Sequence, residues 1–297
     1  MFVSTLLIAL AFLGTEPDRG SLDLSLQKLA AAHKGKVAYS LKHLGTGETI
    51  FHNADEVMPT ASLIKLPIMA EVYAQVKEGK LKLDDMLALT KEEMVPGSGI
   101  LTDHFSPGAQ FSLRDTVRLM IVYSDNTATN MVLEKTGLKA VNDRMGSLAM
   151  RETRINAKVY KASTTSIDAE RTKKYGLGST TARETLKLLE LLHKGELVSA
   201  EASKAMLEHL KKGDDKEKFP RFLPKGVTVA HKTGSISNAR TDAGILYFKE
   251  GPIALVVLTN ENDDKRFVPD NAGNKICADI AKAVVDYFAE SARTSGK

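Results

Sequence analysis

An α+β fold is what the 297-residue sequence predicts, and three observations predict it. Period-2 apolar segments, the mark of half-buried strands, occur near both ends of the chain. Between them, residues 113–211 carry a succession of helical patterns. Apolar helical stretches also flank the strands at each end. Strands from both ends then share one antiparallel sheet flanked by the first and last helices, and the middle is an inserted all-helical domain. The expected division is 21–58 and 214–297 for the sheet domain and 59–213 for the helical domain, after a signal peptide and linker over 1–20.

The elements follow in order. Residues 1–14 are an apolar run of signal-peptide length, too short to span a bilayer comfortably. Ala9-Leu-Ala11 offers a small-residue cleavage site, and Thr15-Glu-Pro-Asp-Arg-Gly reads as a linker. No Lys or Arg precedes Arg19, so the usual basic start is missing, and an N-terminal core helix is the alternative reading. The expectation is export, to the periplasm or the medium. Residues 22–33 have helical spacing, 36–44 and 48–52 read as strands, and Gly45-Thr-Gly47 is the turn between them. A helix runs from 61 to 77. Residues 80–112 are mixed, with turn signals at Pro96-Gly-Ser-Gly99 and Pro107-Gly108. Ser112 caps a helix over 113–122. Further helices are expected at 127–136, 138–147, 181–194 and 199–211. Strands at 226–231, 241–248 and 252–259 and a last helix at 272–290 complete the chain.

Composition excludes several functions. The chain is 43% hydrophobic and 26% charged, as a globular protein with a sizeable core requires. Its net charge of +4 is spread along the sequence, with no basic block for nucleic acid. The single cysteine, Cys277, forbids an intramolecular disulfide or a thiolate cluster and reads as a core residue. The seven histidines show no metal-ligand spacing. Neither metal nor cofactor is expected, and no segment after the first crosses a membrane. The expected partner is a small-molecule substrate, met by a monomer.

Three short motifs carry the chemistry: Ser62-Leu-Ile-Lys65, Ser124-Asp-Asn126 and Lys232-Thr-Gly234. Each alone is weak, and the chain contains decoys in Ser25-Leu-Gln-Lys28 and Lys135-Thr-Gly137. Context separates them. Ser25 lies in the first helix, ahead of any strand, and Gly137 is a helix C-cap. Ser62 instead opens an apolar helix, and Lys232-Thr-Gly234 follows a period-2 strand. Ser62 and Lys65, three apart on a helix, share a face. A serine hydroxyl attacks only when a base takes its proton, and a lysine serves when burial or cations lower its pKa. The Ser62 N–H at the helix start and the N–H of Ser235 are placed to hold an oxyanion. Ser124 is the proton shuttle to a leaving nitrogen. Asn126 offers its amide to a substrate amide, and Lys232 and Thr233 face a substrate carboxylate. Arg240 is either a further positive charge for that carboxylate or a surface arginine.

The sequence resembles class A β-lactamases, within the penicillin-recognising serine enzymes, over about residue 22 to the end. The resemblance rests on the stretches 59–72 and 114–133 and on His231-Lys-Thr-Gly. It implies a serine acyl-enzyme mechanism without metal. By motif match Ser62 resembles the nucleophile, Lys65 its partner, Ser124 the shuttle, Asn126 the amide binder, and Lys232 and Thr233 the carboxylate binders. One departure stands out. The family carries a glutamate that activates the hydrolytic water, in a pattern like Thr-Arg-Leu-Asp-Arg-x-Glu-Pro-x-Leu-Asn. The matching segment here begins at Thr153, with Val159 in place of the glutamate, Tyr160 of the proline and Ser163 of the asparagine. Losing a general base costs about 10²–10⁴ in that step. Glu152, Asp168 and Glu170 are the substitutes the sequence offers. Three functions follow: a β-lactam hydrolase with an unorthodox release step, using Lys65 itself; a D-alanyl peptidase or esterase; or a penicillin-acylated sensor.

Overall fold

The computed structural model describes residues 19–295, so the signal-like segment lies outside the described residues. The main sheet has five strands: β1 (Lys36–His43), β2 (Thr49–His52), β3 (Thr228–Ile236), β4 (Ala239–Tyr247) and β5 (Ile253–Asn260). Their order is β2-β1-β5-β4-β3, antiparallel throughout, so the two chain ends meet where β1 pairs with β5.

Burial explains the central strands. Both faces of the sheet are covered, so β5 reads Ile-Ala-Leu-Val-Val-Leu-Thr with no polar alternation. One face packs Tyr39, Leu41 and Val257 against the first helix, Arg19–Ala32, and the last, Ala272–Ser295, through Leu26, Ile280 and Val284. Cys277 is fully buried in this layer. The other face packs Ala38, Ala243 and Val256 into one core with Met69, Val132 and Leu188 of the helical region.

The helices run Leu113–Val122, Asn126–Thr136, Leu138–Ser147, Ala182–Lys194 and Ala200–Lys211, each within a residue of expectation. Ser112 is the expected cap, and Asp125, Thr181 and Ser199 prove to be caps as well: each of the four accepts a hydrogen bond from the amide three residues on. Among the described residues, no helix is long and apolar enough to cross a membrane.

Two local expectations change. β3 continues through Ile236, so Lys232-Thr-Gly234 lies inside the strand rather than after it. Pairing decides this: Lys232 lies opposite Ala243 and Gly234 opposite Thr241. The helix expected at 61–77 begins as a 3₁₀ turn, Ala61–Ile64, before the α-helix Lys65–Lys77. β3 is the sheet edge, and this turn packs against it.

Candidate active site

Ser62 sits in the 3₁₀ turn, and Lys65 is the first residue of the α-helix. Residues three apart eclipse in a 3₁₀ turn, which brings the two side chains closer than an α-helix does. Lys65 Nζ lies 3.1 Å from Ser62 Oγ. The turn is fastened from both sides: Thr60 N donates to Gly178 O at 3.0 Å, and Thr241 Oγ1 donates to Thr60 O at 3.1 Å. β3 comes close enough that a Cβ on Gly234 would sit 2.6 Å from Thr60 O and 2.9 Å from Ser62 N. Only glycine permits this approach. The Ser62 amide belongs to the first turn, where an N–H has no carbonyl of its own helix to meet.

Ser124 reaches the same point from the helical region. Its φ of 54° is left-handed, a costly conformation for a serine. Its neighbour enforces that conformation. Asp125 caps the Asn126 helix and also accepts from the amides of Ile100 at 2.7 Å and Leu101 at 2.9 Å. A Cβ on Gly99 would lie 2.3 Å from the Asp125 carboxyl, so the glycine turn is shaped to that side chain. The sequence showed the turn but not its purpose.

Lys65 is fully buried among these groups. Its amine also donates to Ser124 O at 2.5 Å, Ser124 Oγ at 3.2 Å and Asn126 Oδ1 at 2.9 Å. Burial holds its pKa well below the usual lysine value, and the Lys232 charge lowers it further against the pull of Asp125. Asn126 is engaged at both ends, since its Nδ2 donates to Pro96 O at 3.1 Å. An amide nitrogen carries two hydrogens, so one remains for a ligand.

Lys232 approaches from β3. It is buried, and its Nζ donates to Ser124 Oγ at 3.0 Å and to Thr233 O at 2.8 Å. Ser124 Oγ thus lies between two amines. Burial pushes the Lys232 pKa down to about 8; Asp215 and Asp242 oppose the shift and Lys218 adds to it. Those neighbours were missed in the sequence. Lys218 is buried with its Nζ 2.7 Å from Asp215, and His231 Nδ1 lies 2.9 Å from Asp242. The period-2 position of His231 beside the motif was the available signal; loop residues Asp215 and Lys218 offered none. Thr233 is buried at the cleft wall, and Ser235 is exposed on the edge strand.

The cleft has two lobes that share Ser62, Ser98 and Ser235. The polar lobe, about 520 Å³, is lined by Ser124, Lys232, Thr233, Asp214, Asp215 and Glu217. The other lobe, about 730 Å³, is largely apolar, with Val159, Tyr160, Tyr175, Leu177, Ile236 and Phe267 in its wall. Val159 is held by its peptide: Asn130 Oδ1 accepts its N–H at 2.9 Å and Asn130 Nδ2 donates to its carbonyl at 3.1 Å. Held in this way, Val159 lines the lobe that contains Ser62.

The three carboxylates offered as substitutes lie elsewhere. Glu152 pairs with Arg171 at 2.9 Å, Asp168 caps the Ala169–Tyr175 helix, and Glu170 is exposed beside Lys173 and Lys174. None lines either lobe at Ser62. Among the described residues, no group of three or more His, Cys, Asp or Glu side chains could hold a metal ion.

Arg240 requires a correction. It is buried, not a surface arginine, and its guanidinium donates to the carbonyls of Ile236, Ala239 at 2.9 Å and Arg266 at 2.6 Å. It also stacks 4.8 Å from the centre of the Phe267 ring. Strand alternation is the cause. Thr241 points to the Ser62 turn, so Arg240 points to the opposite face, where a Cβ on Gly273 would touch its Cγ at 2.7 Å. It is not available to a substrate carboxylate in the cleft.

A buried lysine on a serine hydroxyl, a second serine between two lysines and an edge strand over the Ser62 turn are the arrangement expected of a serine hydrolase of the penicillin-recognising type. A sequence profile of the beta-lactamase enzyme family matches residues 21–288, and the chain belongs to that family. A β-lactamase of Bacillus amyloliquefaciens is 28% identical over 257 residues, covering 82% of this chain and 76% of that protein. Among solved structures, a β-lactamase from Sphaerobacter thermophilus superposes with a TM-score of 0.80 at 29% identity, over 92% of this chain and 99% of that one. PBP-A, solved as a mutant acyl-enzyme with penicillin G, superposes with a TM-score of 0.80 at 25% identity, over 93% and 98%. The protein is a β-lactamase-like hydrolase.

Proposed function

We propose that this protein opens β-lactam amides through an acyl-enzyme on Ser62, in an exported location, and releases the product slowly with Lys65 as the base. The observation that carries this is the 3.1 Å contact between Ser62 Oγ and a buried lysine of lowered pKa. Burial favours the neutral form of this amine, and in that form it accepts the serine proton as Oγ attacks the carbonyl carbon. The oxyanion is met by the N–H groups of Ser62 and Ser235. Ser124, between Lys65 and Lys232, hands its proton to the leaving nitrogen and is resupplied by Lys65. Lys232 and Thr233 hold the substrate carboxylate, and the free Asn126 N–H holds the side-chain amide. No carboxylate lines the acyl side of the cleft, so Lys65 is also the group that takes a proton from water in the second step.

A chromogenic cephalosporin assay combined with intact-protein mass spectrometry tests this. The wild type is expected to form a covalent adduct on Ser62 that decays over repeated turnovers. Lys65→Met is expected to slow adduct formation by about 10²–10⁴. An adduct that survives Ser62→Ala would sink the mechanism.

A further inference from the structure

The two lobes stand on chemically opposite sides of Ser62. Ser124 and Lys232 mark the polar lobe as the side on which a leaving group is protonated. The acyl group that stays on Ser62 must then occupy the other lobe. That lobe is walled by Val159, Leu177, Ile236, Tyr160 and Phe267. Tyr160 and Phe267 are 68% and 70% exposed at its rim, so the lobe presents unfilled apolar surface. Its one lysine, Lys158, is committed to Glu93 and Glu134. No charged group is free there, and the Asn126 amide is the polar donor in its wall.

The carboxylate-free wall has a second consequence. No carboxylate lines the apolar lobe, so on the proposed mechanism the water that attacks the acyl-enzyme is activated from the side of Lys65 and Ser124. In a β-lactam the leaving nitrogen remains tethered to the acyl group by its ring and stays in the polar lobe, across that path. In an open-chain ester the alcohol departs and the path is clear. Arg240, turned to the other face, adds no demand for a carboxylate on the substrate.

We propose that the protein turns over neutral carboxylic esters that carry a bulky apolar acyl group, seated between Val159, Leu177 and Phe267. This rests on Ser62 as nucleophile. Ser62 Oγ bonds to the ester carbonyl carbon and its proton passes to Lys65. The carbon–oxygen bond to the alcohol breaks, and Ser124 protonates the departing oxygen, regaining a proton from Lys65. Water then bonds to the acyl carbon, Lys65 takes its proton, and the Ser62–acyl bond breaks with that proton returning to Ser62. One ester and one water become one acid and one alcohol.

The test compares p-nitrophenyl acetate with p-nitrophenyl octanoate, alongside benzylpenicillin followed by mass spectrometry. The octanoate is expected to have a kcat/KM at least about 10-fold above the acetate, since each buried methylene favours binding. Leu177→Asn is expected to move that ratio toward one. Phe267→Ser, at a mostly exposed position, checks the same ratio should Leu177→Asn fail to fold. Equal kcat/KM for the two esters, a ratio unmoved in both variants, or turnover that persists in Ser62→Ala overturns the inference. A penicilloyl adduct without acyl preference overturns it while leaving the β-lactam reading in place. Acyl preference without a penicilloyl adduct supports it and removes the β-lactam reading.

Discussion

Across one cleft, two regions differ in how fully their polar groups converge on Ser62. On one side, residues 62–65, 124–126 and 232–235 gather around two buried amines. Lys65 alone makes four polar contacts there, and Ser124 accepts the cost of a left-handed backbone to join them. On the other side, the loop around 152–178 is held as firmly, by Asn130 on Val159 and by Glu184 on the amides of Glu152 and Thr153. Yet it brings Ser62 a valine and a tyrosine instead of a base. Order and chemical equipment are therefore separate properties. On the proposed mechanism both attack and release then fall to Lys65, and the second wall is where a separate base for release could be added.

Replacing Val159 is the strongest way to break the contrast. Its peptide is fixed by Asn130, so Val159→Glu directs a carboxylate into the lobe that holds Ser62. Decay of the penicilloyl adduct should accelerate by about 10² with little change in its formation. Rapid-quench mass spectrometry separates the two rates; a change confined to formation would contradict the division between the walls.

A pH profile sharpens the attacking side. Lys232 has its pKa lowered to about 8, so it is charged below that pH and neutral above it. Its grip on a substrate carboxylate is thus present at neutral pH and lost as pH rises. For a carboxylate-bearing β-lactam, kcat/KM should fall about tenfold between pH 7 and pH 9. A neutral ester, which offers Lys232 no carboxylate, should lose less over the same interval.

The smallest effect is expected at Arg240. Arg240→Lys cannot reproduce the fork of donors to Ile236, Ala239 and Arg266. It should lower the melting temperature by a few degrees, equivalent to about 1 kcal/mol, while KM for β-lactams stays within about twofold. A large rise in KM with an unchanged melting temperature would return Arg240 to the substrate side.

Local patterns made much of this molecule legible. Helices with a cap residue and an apolar stripe, such as Ser112 to Val122 and Thr181 to Lys194, were readable to within a residue, because capping and periodicity are written in neighbouring positions. Ser62, Lys65, Ser124, Asn126, Lys232 and Thr233 were readable for a different reason: three short motifs occur in order, each at the start or edge of an element. What depended on distant partners was less legible. The 3₁₀ turn at Ser62 follows from Thr60 being fastened to Gly178 and Thr241, far away in sequence. The buried pair Asp215–Lys218 carries no local signature.

The sequence by itself determined the main elements, the sharing of one sheet by the two chain ends, and the short motifs that carry Ser62, Lys65, Ser124 and Lys232, because these depend on residue type and short-range spacing. Only the tertiary structure decided that Lys232 lies within a strand, that Arg240 turns away from the cleft and that Glu152, Asp168 and Glu170 stay out of it. Strand register and loop packing set the direction of each side chain, and both are fixed by contacts between residues that the chain itself places far apart.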